Sequence, residues 1–220
     1  MIMAALSITD LAFAYPGDAF RLSVPELKVE AGSTLALAGA SGGGKSTLLR
    51  LMTGLLPPAR GEVMLDGQNL SAMSVELLRA FRLRHIGLVF QDFALLDYLT
   101  VEENVLLPHQ FDRETLAKAR ENMPAMLQRL QIAAYRGKPV SQLSQGERQR
   151  VAIARSLVHE PKFLFADEPT ASLDPARTRI VTDLLIEDAR NRKSTLVVVT
   201  HDHDILPSFD ATRRMDSFTS

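Results

Sequence analysis

The stretch GASGGGKS, Gly39 to Ser46, leaves the chain few folds to choose from. It follows the apolar run TLALAG (Thr34 to Gly39) and opens a helical pattern from Lys45 to about Gly54, so a buried strand must turn sharply into a helix. Its glycines let backbone N–H groups converge within the turn, and the helix N-terminus adds partial positive charge. That arrangement, with the spacing G-x-x-x-x-G-K-[ST], is what a phosphate group requires. A glycine-rich strand-to-helix turn with an exposed lysine is the plainer reading of the same letters.

The rest of the chain agrees with an α/β fold. EVMLDG (Glu62 to Gly67), HIGLVF (His85 to Phe90), KFLFAD (Lys162 to Asp167) and STLVVVT (Ser194 to Thr200) read as further strands, and three of the five are nearly unbroken apolar runs and so buried on both faces. Helical patterns at Val75 to Arg82, Glu147 to His159 and Pro175 to Arg192 separate them, which predicts a mainly parallel sheet. Leu6 to Val29 alternates around the turn PGD and predicts antiparallel strands beside that sheet. From Asp97 to about Pro139 there is no strand signal, and TVEENVLL and RETLAKARENMPAMLQRLQI are helical, with Pro124 expected to kink or divide the second. The expectation is one domain over 1–220, with a helical insertion over about 92–160 and a core made of 1–91 and 161–220.

Composition excludes several functions. A formal net charge of -1 over 220 residues gives no global field for nucleic acid, and the absence of Cys removes thiolate metal sites and a cysteine nucleophile. MIMAALSITD lacks the flank and apolar core of a secretory signal, and no apolar run approaches the ~20 residues of a membrane span, so a cytoplasmic location is expected.

FLFADEP, Phe163 to Pro169, supplies the second half of a phosphate chemistry. A buried strand ending in Asp167 places a carboxylate at the carboxyl edge of the sheet, where Mg²⁺ beside the loop would be met. Ser46 offers a hydroxyl to the same ion, and Lys45 reaches the terminal phosphates. Glu168 is then the group to orient a water and accept its proton. Two acids that merely solubilise a strand end remain the alternative wherever the loop at Gly39 is ignored.

Together with LSQGE, Leu143 to Glu147, these residues make the chain resemble the nucleotide-binding subunit of ATP-binding cassette transporters, from Tyr15 to His201. The resemblance implies a P-loop NTPase that binds ATP and Mg²⁺ and hydrolyses ATP. It makes Gly39, Ala40, Ser41, Gly42, Gly43, Gly44, Lys45, Ser46 and Thr47 the phosphate loop, and Asp167 and Glu168 the metal and catalytic carboxylates. It assigns Gln91 to sensing the Mg²⁺, His201 to the γ-phosphate, Tyr15 to adenine stacking, and Asp174 of SLD (Ser172 to Asp174) to the loop between two sites. Phrases such as FQDFALL and ADEPTASLD look closest to the bacterial branch of lipoprotein-release, macrolide-export and cell-division cassettes.

The signature itself has two readings. Ser144 and Glu147 fit the capping box S-x-x-E, which satisfies orphan N–H groups at a helix start. Gly146 is not explained that way, since a glycine in a first turn weakens the helix. The resemblance gives Ser144, Gln145, Gly146 and Glu147 to the ATP of a second, identical subunit, in a head-to-tail dimer that drives polytopic membrane subunits from the inner face of the membrane. The departures are Gln145 and Glu147 within the signature, and an ending, ATRRMDSFTS, with little of the family's last strand. A soluble cassette ATPase uncoupled from transport is the other reading; it usually carries paired cassettes or basic extensions, and none is present in these residues.

Overall fold

The computed structural model describes residues 4–17, 20–171 and 174–218. Strands β1 (Ala4–Ala14) and β2 (Arg21–Glu30) form an antiparallel hairpin. In β2 the buried positions Leu22 and Val24 alternate with exposed ones, the alternation shifts by one residue at exposed Pro25 and Glu26, and it resumes with buried Leu27 and Val29, beside a β1 strand whose Asp10 has φ 48°. Strand β3 (Thr34–Ala38) is buried throughout and feeds helix α1 (Lys45–Met52). Strands β4 (Arg60–Leu65) and β5 (Gln68–Asn69) follow, then α2 (Val75–His85) and β6 (Ile86–Val89). Helices α3 (Val101–Leu106), α4 (Arg113–Arg129) and α5 (Gln145–Leu157) fill the middle of the chain. The remaining elements are β7 (Phe163–Asp167), α6 (Pro175–Arg192), β8 (Thr195–Thr200) and β9 (Ala211–Arg214).

Two sheets result. One is antiparallel in the order β2-β1-β4-β5; the other is parallel in the order β6-β7-β8-β3-β9. Alternation divides the parallel sheet between two cores. Leu35, Leu37, Phe163, Phe165, Val197 and Val199 face the antiparallel sheet and α1, while Ala36, Leu164, Ala166, Leu196 and Val198 face the helices. Both faces are covered, which is why these strands read as unbroken apolar runs.

Two expectations need adjustment, and a third, a reduced last strand, is met. The run at Glu62 to Gly67 joins the antiparallel sheet beside β1 and not the parallel one, because its buried positions Val63 and Leu65 meet the core shared with β1. Helix α4 continues through Pro124 without division: buried Ala119, Met123, Met126 and Leu127 anchor both sides of the proline and outweigh its missing N–H. The last strand is present as β9, short, paired parallel with β3 over Leu35 to Ala38. Of the apolar stretch after Gln91, Leu95 packs on the helical core, Phe93 and Leu99 are half-buried, and Leu96 and Tyr98 are exposed.

Candidate active site

The turn between β3 and α1 is shaped by glycine where the backbone demands it. Gly42 and Gly44 take φ of 79° and 80°, and Gly44 caps α1 without any side-chain hydrogen bond, leaving the N–H groups of the first turn to an outside acceptor. Gly39 has a different reason: a Cβ there would lie 2.8 Å from Cβ of Met215. The Lys45 side chain is buried, and its ammonium donates to the carbonyls of Gly39 (2.8 Å) and Ala40 (2.9 Å).

The carboxyl edge of the parallel sheet brings the acids to this loop. Ser46 Oγ donates to Asp167 Oδ1 at 2.9 Å, and Lys45 Nζ stands 3.1 Å from Glu168 Oε1, with both of the latter side chains buried. The other Glu168 oxygen, Oε2, accepts from the His201 backbone N–H at 3.2 Å and lies 2.8 Å from His201 Nδ1. Burial raises the pKa of Asp167 above the usual carboxylate value and the neighbouring Glu168 charge adds to this, while the Ser46 hydrogen bond and the charges of Arg50 and Lys45 oppose it. Glu168 also has φ 45°, a left-handed conformation unusual for a non-glycine, held by its N–H on the Val199 carbonyl (2.9 Å) and by Ala171 N–H on its own carbonyl (3.2 Å).

Lys45, Ser46, Glu168 and His201 line one cleft of about 500 Å³, with Tyr15, Phe20, Ser41, Gly42, Gly44, Thr47 and Gln91, and Asp167 meets it through its bond to Ser46. Tyr15 is placed by its hydroxyl, 3.2 Å from Thr47 Oγ1, and by an edge-on contact with Phe13. Phe20 was not singled out from the sequence. Its ring lies 6.2 Å from that of Tyr15, and the signal was an aromatic at each end of the hairpin turn. Gly43 stands behind the cleft and donates to the Ala40 carbonyl (3.1 Å).

The signature does not reach this cleft. Ser144 caps α5, exchanging bonds with Glu147: Ser144 N–H to Oε2 at 2.8 Å, Ser144 Oγ to Oε2 at 2.7 Å, and Glu147 N–H to Oγ at 3.4 Å. Hydrogen bonds from Ser144 and Tyr135 hold the Glu147 carboxyl below the usual range. Gln145 is exposed beside them, and a Cβ added at Gly146 would meet nothing within 4 Å. Asp174 is likewise elsewhere, capping α6 by accepting from Arg177 N–H at 3.0 Å; Ser172 and Leu173 lie outside the described residues.

Comparison with known proteins accords with this geometry. Residues 22–171 match the model of the ABC transporter family. The chain is 38% identical over 210 residues to the lipoprotein-releasing system ATP-binding protein LolD of Pseudomonas fluorescens, covering 94% of this chain and 92% of that protein. It is 42% identical over 185 residues to the methionine import ATP-binding protein MetN of Caulobacter vibrioides, covering 84% of this chain but 55% of that longer relative. The dimeric structure of the ATP-binding cassette MJ0796 in a post-hydrolysis state, bound to ADP and Pi, superposes with a TM-score of 0.81 at 29% identity, covering 95% of this chain and 93% of that one. The chain belongs to the ABC transporter family, as an ATP-binding subunit that hydrolyses ATP in the service of transport. Among the described residues no helix is long and apolar enough to cross a membrane.

Proposed function

We propose that the cleft between β3, β7 and β8 is where this subunit binds ATP with Mg²⁺ and cleaves it, on behalf of a membrane partner. The observation that carries this is the convergence of Lys45, Ser46 with Asp167, Glu168 with His201, and Tyr15 on one cleft. The uncapped first turn of α1 suits phosphate oxygens, and Lys45 would exchange Glu168 Oε1 for them. Tyr15 and Phe20 offer apolar faces to the adenine.

Ser46 and Asp167 fit Mg²⁺: both are oxygen donors, they already meet, and Asp167 is buried without a cation of its own at contact distance. Among the described residues no three His, Asp or Glu side chains converge, so phosphate oxygens and water would complete the shell, which is how Mg²⁺ is commonly held. Bound there, the ion would neutralise charge developing on the phosphates. Gln91, which lines the cleft, would bond to that shell. Once Lys45 has turned to phosphate, Glu168 keeps one oxygen on His201 and has the other free to take a proton from water. The water oxygen forms a bond to the γ-phosphorus as the bridging bond to the β-phosphate breaks, and His201 steadies the γ-phosphate oxygens.

Ser144, Gln145, Gly146 and Asp174 complete the site of a second copy. Support comes from the outward, unobstructed Gly146 and from the dimeric MJ0796 cassette. The helices between residues 92 and 160 then act as a lobe that carries the signature, and a polytopic membrane subunit would hold the pair at the inner face of the membrane. Purified Glu168→Gln protein should dimerise on adding ATP and Mg²⁺, read by analytical ultracentrifugation. Lys45→Ala should lose ATP binding, each charge-assisted contact being worth about 1.5–3 kcal/mol. Unchanged hydrolysis in Lys45→Ala sinks the site assignment.

A further inference from the structure

Arg155 interrupts the apolar run VAIARSL and is 8% exposed, far from where a guanidinium is cheapest to keep. Burial lowers its pKa to about 10, and among the described residues no carboxylate lies within ion-pair distance of it. Its donors go to the backbone instead: one to the Phe93 carbonyl at 2.5 Å, another to the Ala94 carbonyl. Those two residues have φ of 63° and 44°, left-handed positions that neither side chain favours. A buried cation thus holds two strained peptides, two and three residues beyond Gln91.

The same helix grips the surrounding segment elsewhere. Arg148 lies seven residues before Arg155, on the same stripe of α5, and pairs with Asp97. Gly87 of β6, the strand that leads to Gln91, lies so close to α5 that a Cβ would stand 2.2 Å from the Ser156 carbonyl. Gln149 of α5 donates to the Pro169 carbonyl, next to Glu168. The far end of the helix, about 16 Å from Arg155 at 1.5 Å per residue, is Ser144.

We infer that Arg155 is a positioning residue for Gln91, and that it couples the placement of Gln91 in the chain's own cleft to that of Ser144 and Gly146 at the other end of α5. This rests on the reading of the cleft given above. Arginine is required because one planar fork spans two carbonyls; lysine keeps the charge but offers a single point. A role limited to packing α5 predicts loss of stability alone, whereas clamping predicts a defect that passes through Gln91.

The test compares Arg155→Lys with the parent protein by hydrogen exchange and by ATPase kinetics. Amides of residues 93–97 should exchange at least about tenfold faster in Arg155→Lys, with α5 itself unchanged. The kcat should fall about tenfold with KM for ATP unaltered, and Arg155→Lys should add nothing in a Gln91→Ala background. Ala94→Gly, which adopts positive φ without strain, should recover part of the kcat in Arg155→Lys. Unchanged exchange at 93–97, or losses that add independently of Gln91→Ala, would overturn the inference. Exchange also decides the matter if the parent protein hydrolyses no ATP, an outcome that would count against the cleft assignment and not against the clamp. Arg155→Met, which fills the space without donors, should show the same local exchange; if both variants are destabilised throughout the chain instead, Arg155 is a packing residue and the inference fails.

Discussion

The two halves of the proposed catalytic apparatus are built in opposite ways. Around Lys45, Asp167 and Glu168 the polar groups are buried and already bonded to their neighbours, with a left-handed backbone at Glu168 fixing the carboxylate proposed as the base. Around Ser144 and Gly146 they are exposed or half-exposed and bonded within their own cap and to Tyr135 beside it. The first half is preorganised by the sheet edge of this chain; the second is presented outward on a helix end, ready for a surface that this chain does not contain. Preorganisation suits the chemical step, where misplacement is costly, and presentation suits a contact that must be made and broken in each cycle.

Substitutions should separate the halves. The largest effect is expected within the buried half: Glu168→Gln should lower the single-turnover rate by about 10²–10⁴ while ATP affinity, measured by fluorescent-nucleotide titration, is retained. A Glu168→Gln protein that hydrolyses at the parent rate would transfer the base role elsewhere.

The place where the segment after α3 meets the C-terminal end of α5 should respond to acid. His109 and His159 are buried with ring centroids 4.6 Å apart; among the described residues no ring nitrogen makes a well-formed hydrogen bond, although the backbone of Arg155 lies by His109 and that of Ile86 by His159. Burial lowers His109 to about 4 and His159 to about 3 from 6.5, with Arg155, Lys118, His85 and Asp112 as the charged or titratable neighbours. Both folded values lie below the unfolded one, so the neutral rings' contribution is complete above pH 6.5 and is lost as pH falls towards 4 and 3. From pH 7 to pH 5 each ring should cost about 2 kcal/mol, measured by urea unfolding. His109→Leu should flatten that slope and, by removing two unsatisfied nitrogens, raise stability at pH 7. An unchanged slope would show that the rings open to water before they charge.

Within the outward half the expected changes are smaller and point in two directions. Gly146→Ala should raise the melting temperature, since alanine favours the helix by up to ~1 kcal/mol and its Cβ meets nothing in this chain, yet cut ATPase turnover at least about tenfold. Stabilisation without loss of turnover would mean that no partner surface approaches there. Ser144→Ala should cost about 1 kcal/mol of stability through the cap, read from denaturant midpoints.

Much of the core site was legible because its residues are tied to local backbone form. GASGGGKS between a strand and a helix, and FLFAD ending in Asp167, place their groups wherever the sheet edge lies. Ser144 with Glu147 was legible as a cap for the same reason. Phe20 and Arg155 were not, since a hairpin-end aromatic and a lone arginine acquire meaning only from what lies across space. The strand at Glu62 to Gly67 shows the limit from another side: its pattern specified a strand but not a sheet, because pairing is set by partners far along the chain.

By itself the sequence determined the order of the elements, the glycine loop before α1 and the acids at the end of β7, all of which depend on spacing, burial pattern and backbone freedom over a few residues. Tertiary structure alone decided that Glu168 sits between Lys45 and His201 in a left-handed conformation, that Gly146 has open space before it, and that a buried arginine clamps the turn beyond Gln91. Such facts join residues from 33 to 123 positions apart, and no local preference carries a distance of that kind.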